Sequence, residues 1–464
     1  MASIIVCGGG PIGLLTSVIL ARSGHVVTVL ESDPQPAPET PVTAWESWQR
    51  KGVAQFRQPH NLFSRFRIIA DEEIPGLTGR LVEAGCARVD ALAGMPPMIA
   101  DRSARPGDEK FRFVTGRRPV LEAVFAAVAE EEPHVTVRRG VRVAAFLPGP
   151  EAREGIPHVA GVRTAAGEEL RGDLVVDAMG RRSPSRDLLA ALGARPPVVD
   201  ASDVGFMYYS RYFTGPERPK ALAGPLGPFG TFSLLTLMGD NDTWSVTLWA
   251  SSHDKAMKAL RHEECFRRVV QACPLYAHWL DGTPVTGIMP LGGILDRYHR
   301  FTVDGLPVAT GYAALGDAWA CTNPTAGRGL SVGLLHGQLL RDTVRDHLDD
   351  PFEFAQAWDA TTERLVAPFY WNQIRADRAR ISAMEAVRDG RAPAQEPSIV
   401  DKLFMAAAYD PDVFRAALET VLCLALPQEV VRRPAIAERI ANQAQPPRPL
   451  PGPDRGHLLD LLVT

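Results

Sequence analysis

Gly8, Gly10 and Gly13, followed by Glu31, form the constellation in this chain best suited to holding a nucleotide. Gly8 suits a tight turn, Gly10 lets the backbone approach a pyrophosphate, and Gly13 lets a helix pack closely on the strands. The apolar helical stretch that runs to Arg22 would offer free N–H groups and a positive dipole end at its start. Glu31 stands eighteen residues after Gly13, at the end of a second apolar run. A carboxylate there can hold ribose hydroxyls and would repel a 2′-phosphate. The order strand, glycine turn, helix, strand, acid predicts a dinucleotide site, with FAD and NAD both open.

A second constellation lies late in the chain. An apolar stretch ends in Gly316-Asp317, and Pro324, Gly327 and Gly329 then open a helix reaching about Leu340. A helix entered this way presents N–H groups and a dipole to whatever lies above it. For a flavin, that would be the N1/C2=O edge of the ring, and Asp317 could accept hydrogen bonds from ribityl hydroxyls. His60, in Arg57-Gln-Pro-His60, is a candidate to position substrate or relay a proton; a loop-capping histidine is the plainer alternative. Tyr208, Tyr209, Arg211 and Tyr212 alternate along one strand, Tyr209 and Arg211 on one face, Tyr208 and Tyr212 on the other. Which face lines a pocket stays open. Trp45 and Trp48 read as packing residues, Arg375 to Arg380 as a solvated helical face, and Asp177 as a cap on its strand.

The elements that must position these residues follow from patterning. Ser3–Cys7 and Leu174–Asp177 read as buried strands, Pro119–Glu130 as a helix, and Val135–Val143 as a strand with a turn. Residues 61–95 carry helical spacing. Val204–Phe213, Gly230–Met238 and Thr243–Ala250 alternate as strands, the last two joined by the hairpin-type turn Gly239–Asp242. This predicts an antiparallel sheet inserted in an α/β chain, able to cover a cofactor pocket. From Pro351 onward the pattern is mostly helical, with Pro-rich punctuation at 446–453.

Composition removes other classes. The chain has 464 residues, 45% of them hydrophobic, 22% charged, and a formal net charge of −4. It has no basic run for nucleic acid, no apolar window long enough for a membrane span, and no basic-then-apolar leader. Its six cysteines show no metal-ligand spacing and read as reduced thiols. These features predict a soluble, cytoplasmic protein without a metal site.

With both constellations in view, residues 1–350 resemble the FAD-dependent monooxygenases of the p-hydroxybenzoate hydroxylase fold, related to flavin halogenases, epoxidases and geranylgeranyl reductases. The resemblance rests on Gly8/Gly10/Gly13 with Glu31 and on Gly316-Asp317 with Pro324, Gly327 and Gly329. It implies that Arg118 reaches the FAD phosphates and that Val143 lies near the adenine. It also makes FAD, not NAD, the tightly bound cofactor. The middle motif departs from the family pattern: Met179 stands where the hydroxylases carry an acid beside Gly180. NAD(P)H as electron donor, directly or through a separate flavin reductase, is therefore left open.

The implied architecture is a doubly wound, Rossmann-like FAD-binding domain (1–64, 108–190 and 285–350). An inserted antiparallel substrate domain (65–107 and 191–284) and a helical C-terminal extension (351–464) complete it. The implied activity is hydroxylation or epoxidation of a small apolar or aromatic molecule by molecular oxygen, through a flavin C4a-hydroperoxide. Alkene reduction, halogenation and non-catalytic flavin binding are the alternatives. Halogenation suffers because none of the six lysines (51, 110, 220, 255, 258, 402) lies in an evident early strand.

Overall fold

A computed structural model describes the chain except residues 51, 204, 392–396, 443–448 and 464. Lys51, the expected strand start at Val204 and part of the Pro-rich stretch therefore lie outside the described residues. The five-stranded central sheet is parallel, in the order Tyr312–Ala314, Leu174–Asp177, Ser3–Cys7, Val26–Glu31, Val135–Arg139. Its inner strands are continuous apolar runs because both faces are covered. Ile4, Val6, Val27 and Val29 join one core, and Ile5, Cys7, Leu30 and Val175 the other.

The first face carries the helices Pro11–Arg22, Arg118–Glu131 and Gly329–His347. The first and last of these approach closely because glycines face them. A Cβ at Gly333 would lie 2.7 Å from Ile12, and one at Gly337 2.2 Å from Thr16 Oγ1. The second face departs from the doubly wound expectation. An antiparallel meander, Val143–Arg153, Ile156–Thr164 and Glu169–Arg171, covers it through Val143, Phe146, Val159 and Val162. Register shifts interrupt the pairing of its first two strands, so their alternation is weak in the sequence.

The inserted sheet is antiparallel, ordered Leu226–Phe229, Phe232–Met238, Thr243–Ser251, Phe206–Thr214, Thr283–Pro284, with Met289–Gly292 also on Phe206–Thr214. One face, with Tyr209, Phe213, Trp244 and Val246, packs on the helix Glu263–Gln271 and on Leu458 and Leu462 from the end of the chain. Tyr208, Ser210 and Tyr212 point the opposite way, with Thr247 and Trp249 beside them in register. The turn Gly239–Asp242 has Asn241 and Asp242 at φ 47° and 55°, the geometry a tight hairpin requires. Residues 61–95 are not simply helical: the strands Pro59–Leu62 and Ala87–Asp90 flank helices Ser64–Glu73 and Leu77–Glu83. Both strands pair with Arg112–Arg117, a partner distant in sequence that local spacing cannot reveal.

The C-terminal segment is helical as expected. Its longest helix, Ala367–Arg388, lies against both the parallel-sheet core, through Ala367, Tyr370 and Ile374, and the inserted sheet, through Met384. The solvated-face expectation for Arg375–Arg380 holds only in part. Arg375 and Arg378 are exposed, while Asp377 faces inward with 3% exposure and Arg380 is half-buried, donating to Phe232 O and Ser233 Oγ. A 3.6-residue period places 373, 377, 380 and 384 on the covered side, whatever their charge.

Candidate functional site

The glycine turn divides its glycines by what needs them. Gly8 sits at φ 114°, and a Cβ there would lie 2.3 Å from Ala178 O. One at Gly13 would lie 2.0 Å from Gly8 O. Both positions are closed to side chains by the protein itself. Around Gly10 nothing lies within 4 Å of a Cβ position. No protein neighbour there demands glycine, so this is open room at a helix start whose N–H groups have no side-chain cap.

Glu31 is 5% exposed and turns back onto this turn, accepting from Gly9 N at 2.9 Å and Asp33 N at 2.8 Å. Its Oε2 also accepts from Arg50 at 2.5 Å. Arg50 in turn pairs with Glu122 at 2.6 Å, and Arg118 pairs with the other oxygen of Glu122 at 2.5 Å. Arg118 Nη1 then donates to His60 Nε2 at 3.2 Å, and His60 Nδ1 donates to Gln58 O at 2.8 Å. Two acids and two arginines thus alternate in a buried line from Glu31 to His60. Burial pushes the Glu122 carboxyl up, but Arg118 and Arg50 outweigh it and hold its pKa below the ordinary range. Burial, with the neighbouring Arg118 charge, lowers His60 to about 3, so the ring is neutral and both its nitrogens are engaged.

Asp317 comes to the same place from the other end of the chain. It follows Gly316, which takes φ 58° and lies beside Ile12 of the first helix. Burial raises the Asp317 pKa, while the nearby charges of Arg118 and Arg181 draw it down. Arg118 and Asp317 thus lie within electrostatic reach of one another. Pro324–Ala326 forms one tight turn, Gly327 follows at φ 64°, and the helix Gly329–His347 begins with no acidic residue in its first turn. A Cβ at Gly329 would meet nothing within 4 Å. Among the described residues, Asn61 Oδ1, Arg328 Nε and Ser331 Oγ are buried here without a hydrogen-bond partner. Orphaned polar atoms beside open glycines suit a bound polar ring, so the residues present fit a flavin. Val143 is buried where its strand starts, two residues after Val141, whose N–H bonds Glu31 O.

The middle motif turns inward. Asp177, fully buried, accepts from Met179 N at 3.0 Å, Ser183 Oγ at 2.5 Å and Tyr312 OH at 3.0 Å. It holds its own loop, which is the capping role expected for it.

The inward face of the inserted sheet meets the loop between Trp45 and His60. Tyr208 OH donates to Asn323 Oδ1, and Ser210 Oγ donates to Gln58 Oε1 at 2.6 Å with Thr247 Oγ1 at 2.8 Å. Tyr212 meets the edge of Trp45 at 5.2 Å, and Arg57 and Arg117 lie over the Trp45 ring at 4.7 and 4.4 Å. Trp45 is thus a bridge between layers, whereas Trp48 packs on Phe56. Arg117 binds Asp240 of the hairpin turn through Nε at 3.0 Å and Nη2 at 2.6 Å, and Asp240 also accepts from Arg117 N at 2.7 Å. Sequence reasoning missed Arg50, Glu122, Asp240 and Asn323. Only Glu122 left a local trace, four residues after Arg118 on one helix.

The six cysteines are unpaired and buried. Among the described residues no helix is long and apolar enough to cross a membrane, and no group of three or more metal-ligating side chains gathers.

No family profile matches the sequence. Protein Rv3254 of Mycobacterium tuberculosis is 27% identical over 373 residues, covering 74% of this chain and 72% of that protein. Among solved structures, the chain is similar to the Diels-Alderase PyrE3 of pyrroindomycin biosynthesis, with TM-score 0.59 and 17% identity over 90% of this chain and 80% of that one. It is also similar to pqsL of Pseudomonas aeruginosa, described as a probable FAD-dependent monooxygenase, with TM-score 0.58 and 16% identity over 83% and 99%. At such identities the likeness concerns the path of the backbone: the chain has the p-hydroxybenzoate hydroxylase-like fold of the FAD-dependent monooxygenases.

Proposed function

We propose that the chain is an FAD-dependent monooxygenase that hydroxylates or epoxidises a small apolar or aromatic organic molecule. The observation that supports this most is the buried line from Glu31 through Arg50 and Glu122 to Arg118, whose charge reaches Asp317 from the far end of the chain, beside a glycine turn with open room at Gly10. In this reading Glu31 holds ribose hydroxyls, Gly10 and the following N–H groups take the pyrophosphate with Arg118, and Val143 lies by the adenine. Asp317 takes ribityl hydroxyls, and the Pro324–Gly329 segment faces the pyrimidine edge. His60, neutral and bonded to Arg118, holds that arginine in place. Reduced FAD, when bound, supplies the oxygen-activating chemistry; the protein orients it and excludes water. Tyr208, Tyr212 and Trp249, with Trp45 packed against Tyr212, make this sheet face largely aromatic, which suits an apolar or aromatic substrate.

Fold alone does not fix the reaction, and PyrE3 bears the name of a Diels-Alderase on the same backbone plan. Purified protein mixed with FAD should gain flavin absorbance, and the reduced complex should consume oxygen in a substrate-dependent way. A colourless protein that takes up no FAD overturns the cofactor assignment. Retained FAD with no substrate-dependent oxygen use, across a library of aromatic and polyene compounds, would favour alkene reduction, halogenation or a non-catalytic flavin protein. Stopped-flow reduction by NADPH and NADH decides whether the donor acts directly or through a separate reductase, the question Met179 raises. A cytoplasmic location belongs to the same proposal.

A further inference from the structure

The Pro324–Gly327 turn is tied down from outside the nucleotide-binding core. The Thr325 hydroxyl donates to Asp377 Oδ1 at 2.5 Å. Gln373 Nε2 donates both to Thr325 Oγ1 at 2.6 Å and to Asp377 Oδ2 at 2.9 Å. Gln373 and Asp377 lie one turn apart on the helix Ala367–Arg388, 5% and 3% exposed, and with the half-buried Thr325 they close a ring of hydrogen bonds. Three groups face Asp377 electrostatically: Asp296 on the strand Asp296–Arg300, Arg328 at the start of the late helix, and Tyr208 on the inserted sheet. Burial lifts the Asp377 carboxyl to about 7; Gln373, Thr325 and Arg328 pull it down, and the Asp296 charge adds to the rise. A carboxyl kept dry near a second carboxyl does not favour folding. What it does is fix the side chain of the turn that opens the late helix.

We propose that Asp377 is the positioning residue for the Pro324–Gly327 turn, holding Thr325 so that the N–H groups of the turn and the following helix keep the spacing a flavin's pyrimidine edge requires. The C-terminal helix is then part of the cofactor site although it contributes no direct contact. This proposal rests on the FAD assignment above and extends it to the C-terminal helical segment, outside the stretch that carries the two glycine motifs.

The test titrates the apoprotein with FAD, following flavin fluorescence and the positions of its visible bands, and separately melts the apoprotein without FAD. The proteins compared are wild type, Asp377→Ala, Asp377→Asn and Thr325→Val. Asp377→Ala and Thr325→Val should bind FAD about tenfold more weakly or worse, with shifted visible bands, because each removes a hydrogen bond that sets the turn. The apoprotein of Asp377→Ala should melt at pH 8 no lower than wild type, since the substitution removes a poorly solvated charge. Asp377→Asn, isosteric and able both to accept from Gln373 and to bond Thr325, should restore affinity to within about twofold. Loss of stability in place of loss of affinity, or an asparagine variant as weak as the alanine one, overturns the proposal. If Asp377→Ala does not fold, Thr325→Val decides: a normal melt with weakened FAD supports the assignment, and wild-type affinity refutes it. Wild-type protein that takes up no FAD refutes the cofactor assignment itself, whereas wild-type binding with indifferent variants refutes only the role of Asp377.

Discussion

Gly10 and Gly13 look alike in the sequence and should behave oppositely when replaced by alanine. The Cβ of Gly13→Ala would stand 2.0 Å from Gly8 O, a backbone atom that cannot swing aside. Overpacking of a well-filled site usually costs about 1–3 kcal/mol, and a fixed backbone partner puts this case at or above the upper end. At Gly10 the new Cβ meets no protein atom within 4 Å, and the backbone already lies at φ −78°, which alanine accepts. Alanine caps a helix less well than glycine but restricts the unfolded chain, two effects each below about 1 kcal/mol and of opposite sign. The Gly10→Ala apoprotein should therefore melt close to wild type. Its cofactor affinity should not survive. The Cβ occupies the room a pyrophosphate needs, and losing one hydrogen bond to a charged group costs about 1.5–3 kcal/mol, or about 10- to 150-fold in dissociation constant. Thermal melts of the three apoproteins and FAD titrations monitored by fluorescence separate the two effects. A Gly10→Ala protein that binds FAD like wild type would mean that no ligand approaches this turn. One that unfolds like Gly13→Ala would mean that the room at Gly10 is not open.

Further outcomes follow from charges the fold buries. Asp240→Ala leaves Arg117 desolvated and unpaired, and urea unfolding should show a loss of about 3–5 kcal/mol; a loss near zero would show that the hairpin turn is not held by this pair. Asp317→Ala should weaken FAD binding by about 1.5–3 kcal/mol in a fluorescence titration, and unchanged affinity removes Asp317 from the site. Asp377 keeps its proton to about pH 7 when folded, whereas an unfolded aspartate loses it near 4, so its contribution to stability falls as pH rises between those values. Buried neutral His60 and His336, both lowered to about 3, act in the opposite sense below about pH 6.5, losing stability as pH falls. The wild-type curve alone therefore mixes the terms. The stability of Asp377→Asn relative to wild type should grow from about pH 4 to 7 and then level off, on the order of 4 kcal/mol as an upper bound. A pH-independent difference in urea midpoints would contradict that ionisation.

How much of this was legible follows from how local each signal is. Gly8, Gly10, Gly13 and Glu31 are read together because turn, helix and strand pack within one short stretch. The alternation in Phe206–Thr214 showed two faces, but only the helix Glu263–Gln271, docking on Tyr209, decides which points outward from the site. Arg50 was invisible, because its partners Glu31 and Glu122 are remote from it along the chain. Asp377 is hidden for a related reason: within Arg375–Arg380 it is the one buried position among five exposed or charged neighbours, and its partner, Thr325, lies in another segment. The meander Val143–Arg171 went unread because bulges break its period.

Arg117 and Arg118 are neighbours in sequence, yet one grips the hairpin of the inserted sheet and the other joins the line running back to Glu31. A single peptide unit thus couples the two layers like a shared hinge pin. Exchanging the inserted sheet for a relative's, to change what the protein accepts, would succeed only if the donor carries an acid at the tip corresponding to Asp240. Without it, the graft would strand Arg117 and tug on Arg118, and a change intended for one layer would be felt in the other.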